Sequence, residues 1–149
     1  MNLRFNDYPE AFTQLKQDPQ LLPLAIEEVL RYRSPVQAMA RFTQVETQLH
    51  GQTIPAGKMV TVWIGAANRD EAQFEHAEVF MIDRDPNPHL AFGNGIHFCL
   101  GALLARLEAK IVLSAVLERL PNLRIVPNKK LEFISSIEVH GIKYLPVLF

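Results

Sequence analysis

The chain is 149 residues long, with 48% apolar and 21% charged residues, a net charge of −1 and one cysteine. This length predicts a single domain with its own core, and the composition is far from that of a disordered chain. The charge balance offers no basic surface for nucleic acid or for a membrane, and one cysteine excludes a disulfide framework.

Neither a leader nor a membrane span is visible in the sequence. The first ten residues lack the apolar region of a signal peptide. The longest apolar run, residues 111–116 broken by Ser114, is far shorter than the ~20 residues of a membrane span. We therefore expect a cytoplasmic protein without a membrane segment.

The first predicted elements are helices. Apolar and aromatic side chains recur at helical spacing over residues 5–17, which predicts a short helix. Asp18 and Pro19 are typical of an N-cap and a first-turn proline, so a second helix is predicted to begin there. It continues through residues 21–32 and ends before Pro35, because the residue before a proline avoids the helical conformation.

The middle of the chain is strand-like and interrupted by turns. Residues 50–51 predict one turn, and residues 55–57 (Pro-Ala-Gly) predict a type I turn. The apolar and β-branched run 59–64 predicts a strand. Residues 65–98 contain many turn formers, which predicts coil with short helical turns.

A long helix is predicted from about residue 100 to residue 120, where Pro121 stops it. Its apolar residues cover more than one stripe, which predicts burial on most sides. Short strands are predicted at residues 123–126 and 137–149. The pattern therefore indicates a single α+β domain over residues 1–149, with one long buried helix, shorter N-terminal helices and small β-sheets.

The single cysteine, Cys99, lies between a glycine-rich loop and the predicted start of the long helix. Gly93 and Gly95 allow backbone conformations closed to other residues and a close approach to a flat ligand. A helix N-terminus favours the thiolate, which is the metal-binding form of cysteine. Gly101 leaves space beside the sulfur for a large group.

Cys99 also has simpler interpretations. Free cysteines are often buried structural residues. A zinc site is disfavoured, because there is no second cysteine and the histidines lack zinc-finger spacing. A nucleophilic cysteine with His97 as its base is conceivable, but no third orienting group is identifiable. The complete pattern F-G-x-G-x-H-x-C-x-G over residues 92–101 separates these alternatives.

That pattern resembles the cysteine-ligand loop of the cytochrome P450 family. Glu28-Val29-Leu30-Arg31 matches the family's E-x-x-R, and residues 18–32 are similar to soluble bacterial members over their whole length. Further matches follow in the family's order and spacing: Arg41, Pro55-Ala56-Gly57, Asn68-Arg69-Asp70, Asp83-Arg84, His89 to Gly93, and Gly141 to Val147. The resemblance covers about residues 5–149 and implies the C-terminal haem-binding part of the P450 fold.

The resemblance implies haem b (iron protoporphyrin IX) as the cofactor and a role for each residue of the loop. Cys99 is expected to be the axial thiolate ligand of the haem iron. Phe92 is expected to pack beside the sulfur, and Gly93 to let the loop pass beneath the ring. Gly101 belongs to the same cofactor-binding set.

The resemblance further implies which side chains contact the haem propionates. His97, His89 and Arg41 are expected to donate N–H groups to these carboxylates.

The remaining charged residues are expected either to stabilise the fold or to lie on the surface. Glu28 and Arg31 form the family's structural ion pair, and Arg84 supplies a third charge to that cluster. Arg106 and Lys110 are expected to be surface charges, with contact to an electron-donor protein as the alternative.

The family's monooxygenases are much longer than this chain. The 149 residues contain no glycine–acid–threonine pattern of the kind that delivers protons to bound oxygen in the family, nor the part that forms most of the distal wall. We therefore expect a truncated haem-thiolate binding protein with at most weak peroxide-driven activity. The alternative is a non-enzymatic or partner-dependent fragment that binds haem poorly or not at all when isolated.

The resemblance also implies partners. A ferredoxin or flavodoxin is expected as electron donor, and an apolar small molecule as substrate, because residues 36–40 resemble a substrate-lining strand that is largely uncharged. Exposed apolar surface favours a homo-oligomer or a complementing chain. Nucleic acid and membranes are not expected partners.

Overall fold

The computed structural model describes residues 8–149. Residues 5–7 of the first predicted helix lie outside them. The helices are α1 (Pro9–Gln17), α2 (Leu22–Tyr32), α3 (Ile64–Ala67) and α4 (Ala102–Arg119), with 3-10 turns at Pro19–Leu21 and Gly95–His97. The Asp18 side chain accepts a hydrogen bond from the Gln20 backbone N–H at 3.0 Å. The predicted cap between the first two helices is therefore confirmed, although a 3-10 turn precedes α2.

The described strands form four two-stranded antiparallel sheets. The pairs are β1 (Met39–Phe42) with β4 (Met59–Val62), β2 (Thr47–Leu49) with β3 (Gln52–Ile54), β5 (Arg124–Ile125) with β8 (Val147–Leu148), and β6 (Glu132–Phe133) with β7 (Ile142–Tyr144). His50 and Gly51 form the turn between β2 and β3 with φ of 47° and 75°, which confirms the turn predicted there. The strand predicted over residues 59–64 is shorter, because α3 begins at Ile64.

The core lies between the N-terminal helices and one side of α4. Its buried residues come from α1, α2 and the coil: Ala11, Leu15, Leu22, Ala25, Ile26, Leu30 and Ile82. Ala109, Leu113 and Leu117 of α4 pack against this cluster at i, i+4, i+8 spacing, together with Ala91 and Phe92 of the glycine-rich loop. The core therefore holds the loop and α4 against α2.

The position of the long helix is confirmed, but its predicted burial on most sides is wrong. Within α4, which is described over its whole length, only Ala102 is buried. Leu104, Leu107 and Ile111 share one stripe and are 59%, 53% and 60% exposed. Apolar residues lie on several sides of α4, whereas its packing against α2 covers only one of them. In the described part of the chain, no helix is both long and apolar enough to cross a membrane.

A buried charge cluster joins α2 to the coil that precedes the loop. Glu28 and Arg31 are both fully buried, and the Arg31 Nε and Nη2 atoms donate to the two carboxylate oxygens of Glu28 at 2.7 and 2.8 Å. Arg84 Nε donates to Glu28 Oε2 at 3.1 Å. Arg31 Nη1 also donates to the carbonyls of Asn68 and Ala77, each at 2.8 Å. The predicted three-charge cluster is confirmed, and its hydrogen bonds hold the coil against α2.

We predict that Glu28→Gln lowers the free energy of unfolding by about 3–5 kcal/mol, because it leaves two buried guanidinium groups without their counter-ion. Urea titration of both proteins measures this loss. Glu10→Gln, on the exposed first turn of α1, is the matched control and is expected to change it by less than about 0.5 kcal/mol. An unfolding midpoint of Glu28→Gln equal to that of the unmodified chain would contradict the prediction.

Candidate functional site

The glycine-rich loop turns sharply before it reaches Cys99. Gly93 and Gly95 have φ of 73° and 64°, in the left-handed region that other residues rarely adopt. A Cβ atom at position 93 would lie only 3.3 Å from the carbonyl oxygen of His97. Both glycines are therefore required by the path of the loop, as the sequence predicts.

Cys99 is exposed, and its backbone is held on both sides. Its N–H donates to the Phe92 carbonyl at 2.9 Å, and its own carbonyl accepts from the Ala102 N–H at 3.2 Å. A Cβ atom at Gly101 would lie 3.8 Å from the sulfur and would fill the space beside it. The helix starts at Ala102, two residues later than predicted, so Cys99 lies just before its first turn.

His97 and Arg41 are both exposed, on different elements. His97 lies in the 3-10 turn two residues before Cys99, and Arg41 lies on β1. Arg41 Nη1 donates to the carbonyl of its neighbour Ala40 at 2.8 Å. Among residues 8–149, no hydrogen bond or ion pair involves the His97 side chain, and Arg41 bonds only through Nη1. The His97 ring and the remaining N–H groups of Arg41 are therefore accessible to an anionic ligand.

His89 has partners within the protein that differ from the predicted propionate. Its side chain is 3% exposed, and its Nε2 lies 2.9 Å from Glu27 Oε2. Its Nδ1 accepts a hydrogen bond from the Ala91 N–H at 3.2 Å. Because Nδ1 acts as an acceptor, Nε2 carries the proton and donates to Glu27. Both ring nitrogens have partners within the protein, and the propionate contact of His89 stays a prediction of the family resemblance.

Arg106 is not the plain surface charge that the sequence predicts. Its Nε and Nη2 donate to the two carboxylate oxygens of Glu27 at 2.7 and 2.8 Å. The guanidinium carbon lies 4.6 Å from the centroid of the Phe92 ring, within range of a cation–π interaction. Arg106 therefore ties α4 to α2 and to the loop, whereas Lys110 is exposed as predicted.

The carboxylate of Glu27 is stabilised in its ionised form. Burial alone would raise the pKa of Glu27, but the hydrogen bonds from Arg106 and His89 outweigh this effect and lower the pKa from 4.5 to about 2. The hydrogen bond to Glu27 raises the pKa of the Arg106 guanidinium in turn. Glu27 and Arg106 are thus an ion pair at neutral and mildly acidic pH.

Sequence reasoning missed two residues that hold the loop. Glu27 bonds partners 62 and 79 residues away, so no local spacing reveals them. Asn68 is fully buried, and its Oδ1 accepts from the Leu90 N–H while its Nδ2 donates to Ser34 Oγ, both at 2.7 Å. The only signal in the sequence for Asn68 is its place among the family matches.

The comparisons with known proteins agree with this geometry. The family model Cytochrome P450 matches residues 13–135 of the chain. The chain is 43% identical over 135 residues to the putative cytochrome P450 YjiB of Bacillus subtilis, covering 91% of the chain and 33% of that protein. It is 46% identical over 136 residues to a steroid C26-monooxygenase of Mycobacterium tuberculosis, covering 91% of the chain and 34% of that protein. The chain thus spans about a third of the length of these curated relatives.

The structural match covers nearly the whole chain. The crystal structure of CYP109E1 from Bacillus megaterium in complex with testosterone superimposes with a TM-score of 0.91 at 48% sequence identity. The match includes 96% of this chain and 39% of that structure. The mixed helix and small-sheet fold is therefore a fragment of the P450 fold, as the resemblance implies.

We predict that the stabilising effect of Glu27 depends on pH. Its pKa is about 2 in the folded chain and 4.5 ordinarily, so the ionised form stabilises the fold above pH 4.5, and this contribution is lost as the pH falls from 4.5 towards 2. The difference in free energy of unfolding between the unmodified chain and Glu27→Gln should be widest near neutrality and should narrow over that range.

Urea titrations at a series of pH values measure this difference. Glu118→Gln, which removes one negative charge from an exposed position on α4, controls for the change in net charge. If the difference in free energy of unfolding between the unmodified chain and Glu27→Gln stays constant from neutral to acidic pH, the assignment of the ion pair is contradicted.

Proposed function

The chain belongs to the cytochrome P450 family, and on that premise we propose that it binds haem b through the thiolate of Cys99 and forms the haem-holding part of a P450 monooxygenase. The observation that carries the proposal is the exposed Cys99 at the end of a loop whose backbone is fixed by two glycines and by the Phe92 carbonyl. A buried structural cysteine would not present its sulfur at the surface in this way.

The surface beside Cys99 suits a porphyrin. A haem is flat and largely apolar, carries two carboxylates at its rim, and needs a ligand beneath its iron. Six large apolar residues near the cysteine in sequence are exposed: Ile96, Phe98, Leu100, Leu103, Leu104 and Leu107. An apolar surface left open in this way is typical of a ligand or protein contact. The donor set and the surface therefore fit the proposed cofactor.

When bound, haem supplies the iron centre at which the family activates oxygen, and a thiolate ligand favours that activation. The residues of this chain hold and orient the group. Cys99 provides the ligand from a backbone held at its N–H and its carbonyl. His97 and Arg41 offer N–H donors to the two propionates, and such charged hydrogen bonds also fix the rotation of the ring.

We extend the proposal to the substrate and the electron donor of the whole enzyme. An apolar small molecule is proposed as substrate, because residues 36–40 present no charged side chain. In support, one relative is named as a steroid C26-monooxygenase, and the matched structure contains testosterone. A ferredoxin or flavodoxin is proposed as donor, and the exposed Lys110 offers a positive charge for docking such a partner.

We predict that the chain reconstituted with haem shows the red-shifted ferrous–carbon monoxide Soret band of a thiolate complex. Cys99→Ala removes the only cysteine in the chain and should abolish this band, whereas Cys99→His replaces sulfur by an imidazole and should shift it. Absorption spectra of the three reduced proteins under carbon monoxide measure the effect. An unchanged spectrum for Cys99→Ala would show that another residue is the ligand.

We further predict that His97→Ala and Arg41→Ala each weaken haem retention by about 1.5 kcal/mol, the lower end for a charged hydrogen bond, because both side chains are exposed to solvent. Haem transfer to an excess of apomyoglobin measures retention, and circular dichroism checks that the fold is kept. Lys129→Ala, another exposed cation, is the control and should retain haem normally. Equal retention by the double variant and the unmodified chain would remove the propionate assignment.

A further inference from the structure

The contacts of Glu27, His89, Arg106 and Phe92, which we call the Glu27 network, connect three parts of the chain. Glu27 lies on α2, and Arg106 lies on α4. His89 and Phe92 lie at the start of the cysteine loop, by which we mean residues 89–101. The Glu27 carboxylate accepts three hydrogen bonds of 2.7 to 2.9 Å from the two basic side chains. No other described carboxylate bonds residues of both α4 and the loop.

Phe92 links this network to the cysteine. The guanidinium of Arg106 lies over one side of its ring, and the ring of His89 lies 6.2 Å from it, centroid to centroid. The Phe92 carbonyl accepts the N–H of Cys99 at 2.9 Å. A displacement of Phe92 therefore moves the acceptor that holds the Cys99 backbone.

The network depends on the charge of Glu27. Without it, as in Glu27→Gln, Arg106 would lose its counter-ion and its two-point hydrogen bond, and Arg106 and the nearly buried His89 would share one amide oxygen as acceptor. A partly buried guanidinium without its counter-ion is destabilised in its place, which favours a more solvated position. Because Arg106 contacts the Phe92 ring, its departure would free one side of that ring.

We propose that Glu27 is a positioning residue for Cys99, which acts through Arg106, His89 and Phe92 to hold the sulfur where it can ligate iron. The inference rests on the proposed haem ligation by Cys99. It assigns the carboxylate next to the E-x-x-R motif a task separate from that of Glu28, which bonds Arg31 and Arg84 and makes no contact with Arg106.

The first measurement needs no haem. Amide hydrogen exchange, followed by NMR on the haem-free 149-residue chain, reports the Cys99 N–H bond to Phe92 directly. Glu27→Gln and Arg106→Gln should each lower the protection of this amide about tenfold, equivalent to about 1.4 kcal/mol. The Leu30 amide in the core of α2 reports any loss of global stability, and the tenfold loss expected at Cys99 is the loss in excess of the change at Leu30.

The second measurement uses the haem-loaded chain. The ratio of thiolate-type to non-thiolate ferrous–carbon monoxide absorbance reports the fraction of molecules in which the sulfur ligates iron. This ratio should fall about tenfold in Glu27→Gln and in Arg106→Gln, and no further in the double variant, because the residues act as one unit. Arg106→Lys keeps the charge but loses the fork, and should fall in between. Glu118→Gln on α4 should match the unmodified chain.

The outcomes separate this inference from the proposed function. If the unmodified chain never shows the thiolate band, haem ligation by Cys99 fails, and the Cys99 amide still tests the network. If that amide and the absorbance ratio are unchanged in Glu27→Gln and Arg106→Gln, the inference is overturned while the proposed function stands. A purely stabilising role would lower protection at Leu30 as much as at Cys99, and would also overturn it. Arg106→Lys provides the same readouts if Glu27→Gln does not fold.

Discussion

The structure depends on two adjacent carboxylates of α2. Successive residues of a helix point about 100° apart, so Glu27 and Glu28 face different neighbours. Glu28 is fully buried and bonds Arg31 and Arg84, which in turn bond five backbone carbonyls of the coil before the loop. Glu27 bonds the first residue of the loop and α4. One short helix therefore positions both the long coil and the cysteine loop that follows it.

This arrangement is built from polar contacts because the segment between α3 and α4 has little regular structure. Residues 68–94 contain no described helix or strand, so their backbone groups lack a repeating set of partners. Guanidinium groups can serve several carbonyls at once, since each carries five N–H donors. Asn68 adds a bond to the Leu90 N–H, at the start of the loop. Because these polar contacts hold the coil and the loop, the apolar core packs against only one side of α4.

The local features of the fold could be predicted from the sequence, and the distant ones could not. The Asp18 cap, the glycines of the loop and the i,i+3 spacing of Glu28 and Arg31 are each visible within a few residues. The pairing of Arg106 with Glu27 joins residues 79 apart, and periodicity contains no information on such a contact. The predicted burial of α4 is wrong for a related reason. Its apolar residues favour burial, but the pattern does not show which other elements pack against each side of the helix.

Hydrogen-bonding capacity distinguishes the residues that support the site from those that face a ligand. Glu28, Arg31 and Asn68 are fully buried and bonded within the protein, and His89 is nearly so. The Cys99 sulfur and the His97 side chain are instead exposed. Buried polar groups must be satisfied inside the fold, whereas polar groups left open at an apolar surface are free to bind an incoming molecule.

On this criterion the described contacts of His89 are those of a supporting residue, and its propionate contact stays a prediction of the family resemblance. Both histidines belong to the family matches and lie in the same loop, His89 at its start and His97 two residues before Cys99. The partners of each ring separate them, since His89 is bonded at both nitrogens and no hydrogen bond joins the His97 ring to the described residues. The motif identifies the loop, and the contacts of each side chain within the fold determine its task.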